Sequence, residues 1–147
     1  MGQAGTVQWS FESGGEYSSS LSVGSSGTIY AGSTNNKVYA INPDDGSVLW
    51  QIDTGASVRY TPVVGSEDIL YVGSGRTIHA LDALRGAFLW KYSKNRPVNS
   101  QPTLTAEGIL LVTLQNDFYA IHTGSEGLAD SAWPTFWRDS QRTGRAR

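Results

Sequence analysis

Apolar and polar positions alternate along this chain in short runs. Turn residues break the runs at roughly every 8 to 12 positions, which reads as short strands in a meander. EYSSSLSVG (16–24) sets small polar residues against apolar ones and predicts a first strand. SSGTIYAGS follows, with Gly27 at the turn and residues 28–32 as a β-branched and aromatic second strand. Asn35-Asn36 predicts a hairpin, because asparagine tolerates positive φ. KVYAIN (37–42) is the third strand. In the PDDGSV turn, Pro43 presets φ and Gly46 supplies a left-handed position. VLWQI (48–52) is the fourth strand, and four such strands make an antiparallel blade.

The pattern then repeats. Trp9, Trp50 and Trp90 stand 41 and 40 residues apart, and Ala40, Ala80 and Ala120 recur at 40. Gly24 and Gly65, Tyr30 and Tyr71, and Gly32 and Gly73 recur at 41. The second copy reads RYTPVVG, DILYVGS, TIHALD and AFLWKY, with Ser74-Gly75-Arg76 as its hairpin. The third reads NSQPTLT, GILLVTL and DFYAIH, with Asn116-Asp117 in the hairpin. Pro62 and Pro102 fall at matching places in the first strand, which suggests a strand start or a position whose N–H the ladder does not need.

Self-similarity near 40 residues marks units that stack on their neighbours. One four-stranded sheet cannot bury both faces alone. Sheets stacked face to face around an axis can, and that arrangement is a β-propeller. A helical solenoid would need apolar residues at 3.6 spacing, and these segments alternate at two. The expectation is an all-β propeller of WD40/YVTN-like architecture, with about three four-stranded blades. The blades are predicted over 16–52, 59–92 and 99–122, an outer strand over 7–11 and a tail over 123–147, all in one domain spanning 1–147.

Composition narrows the partners. The length of 147 residues suits one domain, and the net charge of −2 gives no global attraction for nucleic acid or an acidic membrane. No apolar run approaches the roughly 18 residues of a membrane span. Cysteine is absent, which removes disulfides and thiolate-bound metals. The opening MGQAGTVQWSF has neither a basic nor an apolar leader region, so the chain as given is expected to carry no signal peptide.

The segments AINPDDGSVLW (40–50) and ALDALRGAFLW (80–90) resemble the repeat of the pyrroloquinoline-quinone-type propellers. The matching positions are Ala40, Asn42, Gly46 and Trp50, then Ala80, Asp82, Gly86 and Trp90. Each type has a local reason. Asn or Asp can accept from turn N–H groups, and glycine takes positive φ. The indole is large and carries one donor, so it can wedge between blades and still satisfy its polar end. The family includes quinoprotein alcohol dehydrogenases and the propeller lipoprotein of outer-membrane assembly, so the resemblance implies a periplasmic or extracellular location. The third copy has Asp130 where the tryptophan would stand. The ending, with Trp133, Pro134, Phe136, Arg138, Asp139, Thr143, Gly144 and Arg145, resembles the closing segment of bacterial propellers of this group, and Trp137 stands in the same tail.

The strand count makes an assembly prediction. VQWSF (7–11) is an outer-type strand without a blade, and the third blade ends at DFYAIH without its outer strand. Three blades make a poor ring, since propellers typically have about 4–8. Either the chain is a piece of a longer one, or it closes by oligomerising; the expectation is a two-fold dimer that exchanges outer strands and closes six blades. Val7, Trp9, Phe11, Phe118, Tyr119 and Ile121 are the candidate interface, with Trp9 and Phe11 buried against the partner.

Candidate chemistry is sparse. The dehydrogenases of this family need a larger ring, a calcium site near the axis and a catalytic aspartate, and no such constellation can be placed. No catalytic, cofactor-binding or metal residue is therefore assigned, and neither quinone nor calcium is expected. His79 aligns with Tyr39 and Tyr119 and reads as the filler of an aromatic slot; His122 is the other histidine. Asp44-Asp45 and Glu67-Asp68 lie at turns without calcium-loop spacing and read as solvated carboxylates. The tail arginines Arg138, Arg142, Arg145 and Arg147 read as solvated beside aromatics that pack on a blade. The functional expectation is a non-catalytic scaffold or binding module acting through protein or ligand contacts. The alternatives are a fragment of a quinoprotein-like periplasmic enzyme, and small-ligand or carbohydrate binding in a central funnel.

Overall fold

A computed structural model describes residues 3–124. The first sheet holds β1 (Ser22–Val23), β2 (Ile29–Gly32), β3 (Lys37–Ile41) and β4 (Val48–Asp53). The second holds β5 (Val63–Val64), β6 (Ile69–Ser74), β7 (Thr77–Asp82) and β8 (Phe88–Ser93). The third holds β9 (Thr103–Leu104), β10 (Ile109–Leu114) and β11 (Asp117–His122). Each sheet is antiparallel, with neighbours in chain order, and no helix occurs among the described residues. These are propeller blades, and the described part is all-β. Residues 133–137, with Trp133, Pro134, Phe136 and Trp137, lie outside the described residues.

Three elements differ from the sequence expectation. The first strand of each blade spans only two residues, not the seven to nine read from the pattern. Pro62 and Pro102 stand just before β5 and β9, where a proline without an N–H ends the ladder. Residues 7–11 form no strand, because no neighbouring strand pairs with them among the described residues. The third hairpin turns at Gln115-Asn116, with Gln115 at φ 57, and Asp117 already opens β11.

One row of side chains organises each full blade. Tyr30 pairs with Ala40, and Ala40 with Trp50, across β2, β3 and β4. Tyr71, Ala80 and Trp90 make the same row in the second blade. The alanine is small because two large rings close over it: Tyr30 and Trp50 lie 6.0 Å apart, and Tyr71 and Trp90 5.9 Å. A register shift follows each alanine, at Ala40/Ile41 and Ala80/Leu81, and the ladder then runs into the turn.

The core sits between blades. Tyr30, Val38 and Ala40 of the first blade pack with Leu70, Val72 and Leu81 of the second. Tyr71, Ile78 and Ala80 of the second pack with Leu104, Leu110 and Val112 of the third. Alternation puts β3 and β7 residues on opposite faces by turns, so both strands are buried throughout their centres. In β10 and β11 only alternate residues are covered. Val38 and Ile78 are 0% exposed, while Phe118, at the same repeat position, is 66% exposed. Ala40 and Ala80 are fully buried, and Ala120 is exposed.

The glycine of the repeat turn is a tight point of the stack. Gly86 has φ 73, and a Cβ there would lie 2.6 Å from the Trp50 ring. Gly55 has φ 84 with nothing within 4 Å. Gly55→Ala should therefore cost only the left-handed backbone penalty, about 1–2 kcal/mol. Gly86→Ala should add about 1–3 kcal/mol of overpacking against the indole. Urea unfolding of the two variants checks this, and equal losses would remove Trp50 from the account.

Candidate functional site

The repeat residues build a joint between blades. Asn42 Oδ1 accepts from the Asp44 N–H at 2.9 Å, and Asp82 Oδ1 accepts from Leu84 N–H at 2.9 Å and Arg85 N–H at 3.2 Å. The Gly46 and Gly86 N–H groups return to the carbonyls of Asn42 and Asp82. Burial works against the Asp82 charge, yet the N–H groups of Leu84 and Arg85 and the Arg85 side chain hold its carboxyl below the usual range. Each turn then offers a carbonyl to the preceding indole. Trp50 Nε1 donates to Ala83 O at 2.9 Å, and Tyr30 Oη donates to the same oxygen at 3.0 Å. Trp50 and Trp90 are half-buried rather than fully enclosed, since the indole edge lies at the outer rim.

Trp9 repeats this joint without a blade behind it. Its Nε1 donates to Pro43 O at 2.9 Å, and its ring lies 2.6 Å from where a Gly46 Cβ would stand. Phe11 meets Tyr39 edge-on, with centroids 5.1 Å apart. Trp9 and Phe11 thus pack on the first blade of their own chain. The other candidate interface residues divide by parity. Tyr119 and Ile121 face the second blade, Phe118 lies on the opposite open face, and Val7 is 82% exposed. The open face of the third blade also carries Ala120 and His122.

A cleft of about 530 Å³ opens between the first and second blades. Asp53, Thr54 and Gly55 form one side, and His79, Phe88, Leu89, Trp90 and Lys91 the other. His79 is 6% exposed. Its Nε2 lies 3.0 Å from Ser74 Oγ, and its Nδ1 is buried with no hydrogen-bond partner among the described residues. Burial, helped by the charge of Lys91, pushes its pKa down to about 4, so the imidazole is neutral at physiological pH. The Phe88 ring lies 5.3 Å from it and is half exposed. Sequence reasoning placed His79 in an aromatic slot and missed the cleft. The available signal was the three-way alignment of Phe11, Ile52 and Tyr92 beside that of Tyr39, His79 and Tyr119.

The remaining polar clusters are used locally. Asp45 Oδ1 accepts from the Ser47 hydroxyl at 2.7 Å and its N–H at 2.9 Å, which lowers the Asp45 pKa. Asp68 adopts φ 55 and gives its carbonyl to Ala83 N–H. Among the described residues no group of three or more His, Cys, Asp or Glu could hold a metal ion. A groove of about 410 Å³ lies between Trp90–Tyr92 and Ile121–Gly124.

Comparison with known proteins agrees with this geometry. Residues 2–129 match the family model PQQ_2, described as outer membrane protein assembly factor BamB. A stretch of 72 residues, 49% of the chain, is 33% identical to the outer membrane protein assembly factor BamB of Yersinia pestis. The protein of the same name from Shewanella oneidensis is 28% identical over 69 residues. Each match spans 18% of the relative's length. Among solved structures, BamB from Moraxella catarrhalis superposes with a TM-score of 0.69 at 20% identity, covering 86% of this chain and 40% of that one. A putative gluconolactonase superposes at 0.59 with 19% identity, covering 75% and 40%. These two likenesses concern the fold.

The buried neutral imidazole has a consequence for stability. In the unfolded chain His79 binds a proton near pH 6.5, and in the folded chain only near 4. The unfolded state therefore holds more protons between those values. Stability should be complete above about pH 6.5 and fall as pH drops towards 4, by at most about 1.4 kcal/mol per pH unit from this group. His79→Phe should flatten that part of the profile in urea melts from pH 7 to 4. An unchanged slope would show that His79 is not buried neutral.

Proposed function

Because the chain belongs to the PQQ_2 family of BamB-like β-propellers, we propose that it is a non-catalytic propeller scaffold that works through its blade faces and edges. Its partners on this reading are proteins of outer-membrane assembly, and its compartment is the periplasm. Two relatives carry the assembly-factor name, although the chain spans only a small share of their length. The observation that carries the reading is the third blade. Phe118 and Ala120 stand exposed at repeat positions that are sealed in the other two blades. A sheet face with exposed apolar side chains, next to an edge strand that is unpaired among the described residues, suits docking.

The repeat's polar groups support a scaffold over an enzyme. Asn42 and Asp82 are consumed in turns, and the indole donors of Trp9 and Trp50 on the next turn. The single-domain reading over 1–147 and the absence of a quinone or calcium requirement belong to the same proposal.

A second copy of the chain is the first partner. Residues 7–11 already lie where the outer strand of a preceding blade would lie, with Trp9 seated on the first blade as Trp50 is on the second. The third blade lacks that outer strand among the described residues. In a two-fold dimer, the 7–11 segment of each copy completes the third blade of the other. Trp9 then bridges that blade and its own first blade, and the open face meets the partner's first blade.

Light scattering at micromolar concentration should report about twice 15.9 kDa. Phe118→Asp, at a site exposed in the single chain, should halve that mass while leaving far-ultraviolet circular dichroism unchanged. A folded monomer of the unaltered protein would end the dimer. Titration with pyrroloquinoline quinone and calcium should give no saturable binding, and a stoichiometric micromolar complex would end the scaffold reading.

A further inference from the structure

Equivalent positions at the three blade junctions hold different side-chain pairs. In front of the first blade the pair is Phe11 and Tyr39, with centroids 5.1 Å apart. Between the second and third blades it is Tyr92 and Tyr119, at 5.9 Å. Between the first and second blades the same positions hold Ile52 and His79. Both rings have been exchanged for smaller side chains at one junction only. The cleft of about 530 Å³ opens at that junction.

The exchange leaves a hydrogen-bonding group as well as space. A neutral imidazole has one donor and one acceptor nitrogen. Ser74 Oγ satisfies Nε2, and Nδ1 stays buried without a partner among the described residues. Orphaned buried polar atoms are uncommon in folded proteins. The walls are apolar where a ring would lie, with Phe88 and Leu89 each about half exposed. Lys91, which pairs with His79 in register, and Asp53 stand on opposite sides of the mouth. A concave, mainly apolar space of this size with one convergent polar group has the character of a ligand site.

We propose that this inter-blade cleft binds a phenolic ring, which takes the place of the aromatic pair present at the other two junctions. The ring lies against Phe88 and Leu89, and its hydroxyl bonds to His79 Nδ1. A phenol hydroxyl both donates and accepts, so it matches either tautomer of the imidazole. Reaching Nδ1 requires the half-exposed Phe88 ring to turn outward. The site lies within one chain and does not depend on ring closure or on the scaffold reading.

The test uses two phenolic probes, p-cresol and N-acetyl-tyrosinamide, followed by shifts of the His79 ring signals in heteronuclear spectra. Saturable binding below about 10 mM is expected for at least one, at least 10-fold tighter for N-acetyl-tyrosinamide than for N-acetyl-phenylalaninamide if the peptide probe is the one that binds. That ratio corresponds to about 1.4 kcal/mol for the hydroxyl. Tighter binding of the tyrosine probe assigns the ring to a partner polypeptide, and tighter binding of p-cresol assigns it to a small molecule. His79→Tyr and Ile52→Phe each restore one ring of the aromatic pair at this junction. Each should raise the melting temperature and weaken binding at least 10-fold, and either variant suffices if the other does not fold. Absence of saturation with both probes, or undiminished binding in a folded refilled variant, overturns the proposal.

Discussion

The seating of one blade's indole on the next blade's turn is the contact from which the remaining features follow. An indole brings about 150–250 Å² of surface to a junction, enough for a few kcal/mol at about 25 cal/mol per Å² when it is covered. Covering it imposes conditions on four other positions. The cross-strand neighbour must be small, so alanine stands at 40 and 80. The turn beneath must bring its backbone against the ring, so glycine stands at 46 and 86 with positive φ. The turn must hold that shape, so Asn42 and Asp82 cap its N–H groups. One carbonyl must face the indole donor, and Pro43 and Ala83 supply it.

This joint acts between sheets, so stability is shared by neighbours and the ends of the array carry the imbalance. The near face of the first blade is met by Trp9 and Phe11, while the far face of the third keeps Phe118 in solvent. An array of this kind has few uses for its own polar groups beyond turns and joints. Its capacity for recognition lies in faces and edges left unfilled. The scaffold reading and the membership of a family described by an assembly factor meet on that physical ground.

Positions outside the joint are free to vary, and variation there can create a site without loosening the fold. Residues 11, 52 and 92, and 39, 79 and 119, flank the indole contact but do not form it. A Phe–Tyr, an Ile–His and a Tyr–Tyr combination are all compatible with the same blade geometry. The middle combination keeps an imidazole neutral in a low-dielectric wall beside Lys91, and burial accounts for most of that effect. A repeat can therefore differentiate one junction from the others by substituting two side chains.

The repeat period, the strand meander, the turn glycines and the alanine–tryptophan spacing are local, and the sequence by itself determined them. Period-two alternation and turn chemistry act over a few residues, and the spacing of 40 between Trp50 and Trp90 is visible without any coordinates. Residues 7–11 were legible as an outer-type segment, yet whether they pair as a strand depends on a neighbour that pattern alone cannot supply. The cleft was not legible, because it arises where residues 41 apart in one alignment and 40 apart in another meet across a junction. Ile52 and His79 look unremarkable one at a time. Only tertiary structure brings their strands to one junction and leaves Phe118 exposed, because burial is a property of neighbours in space and alternation along a strand says only that a face exists.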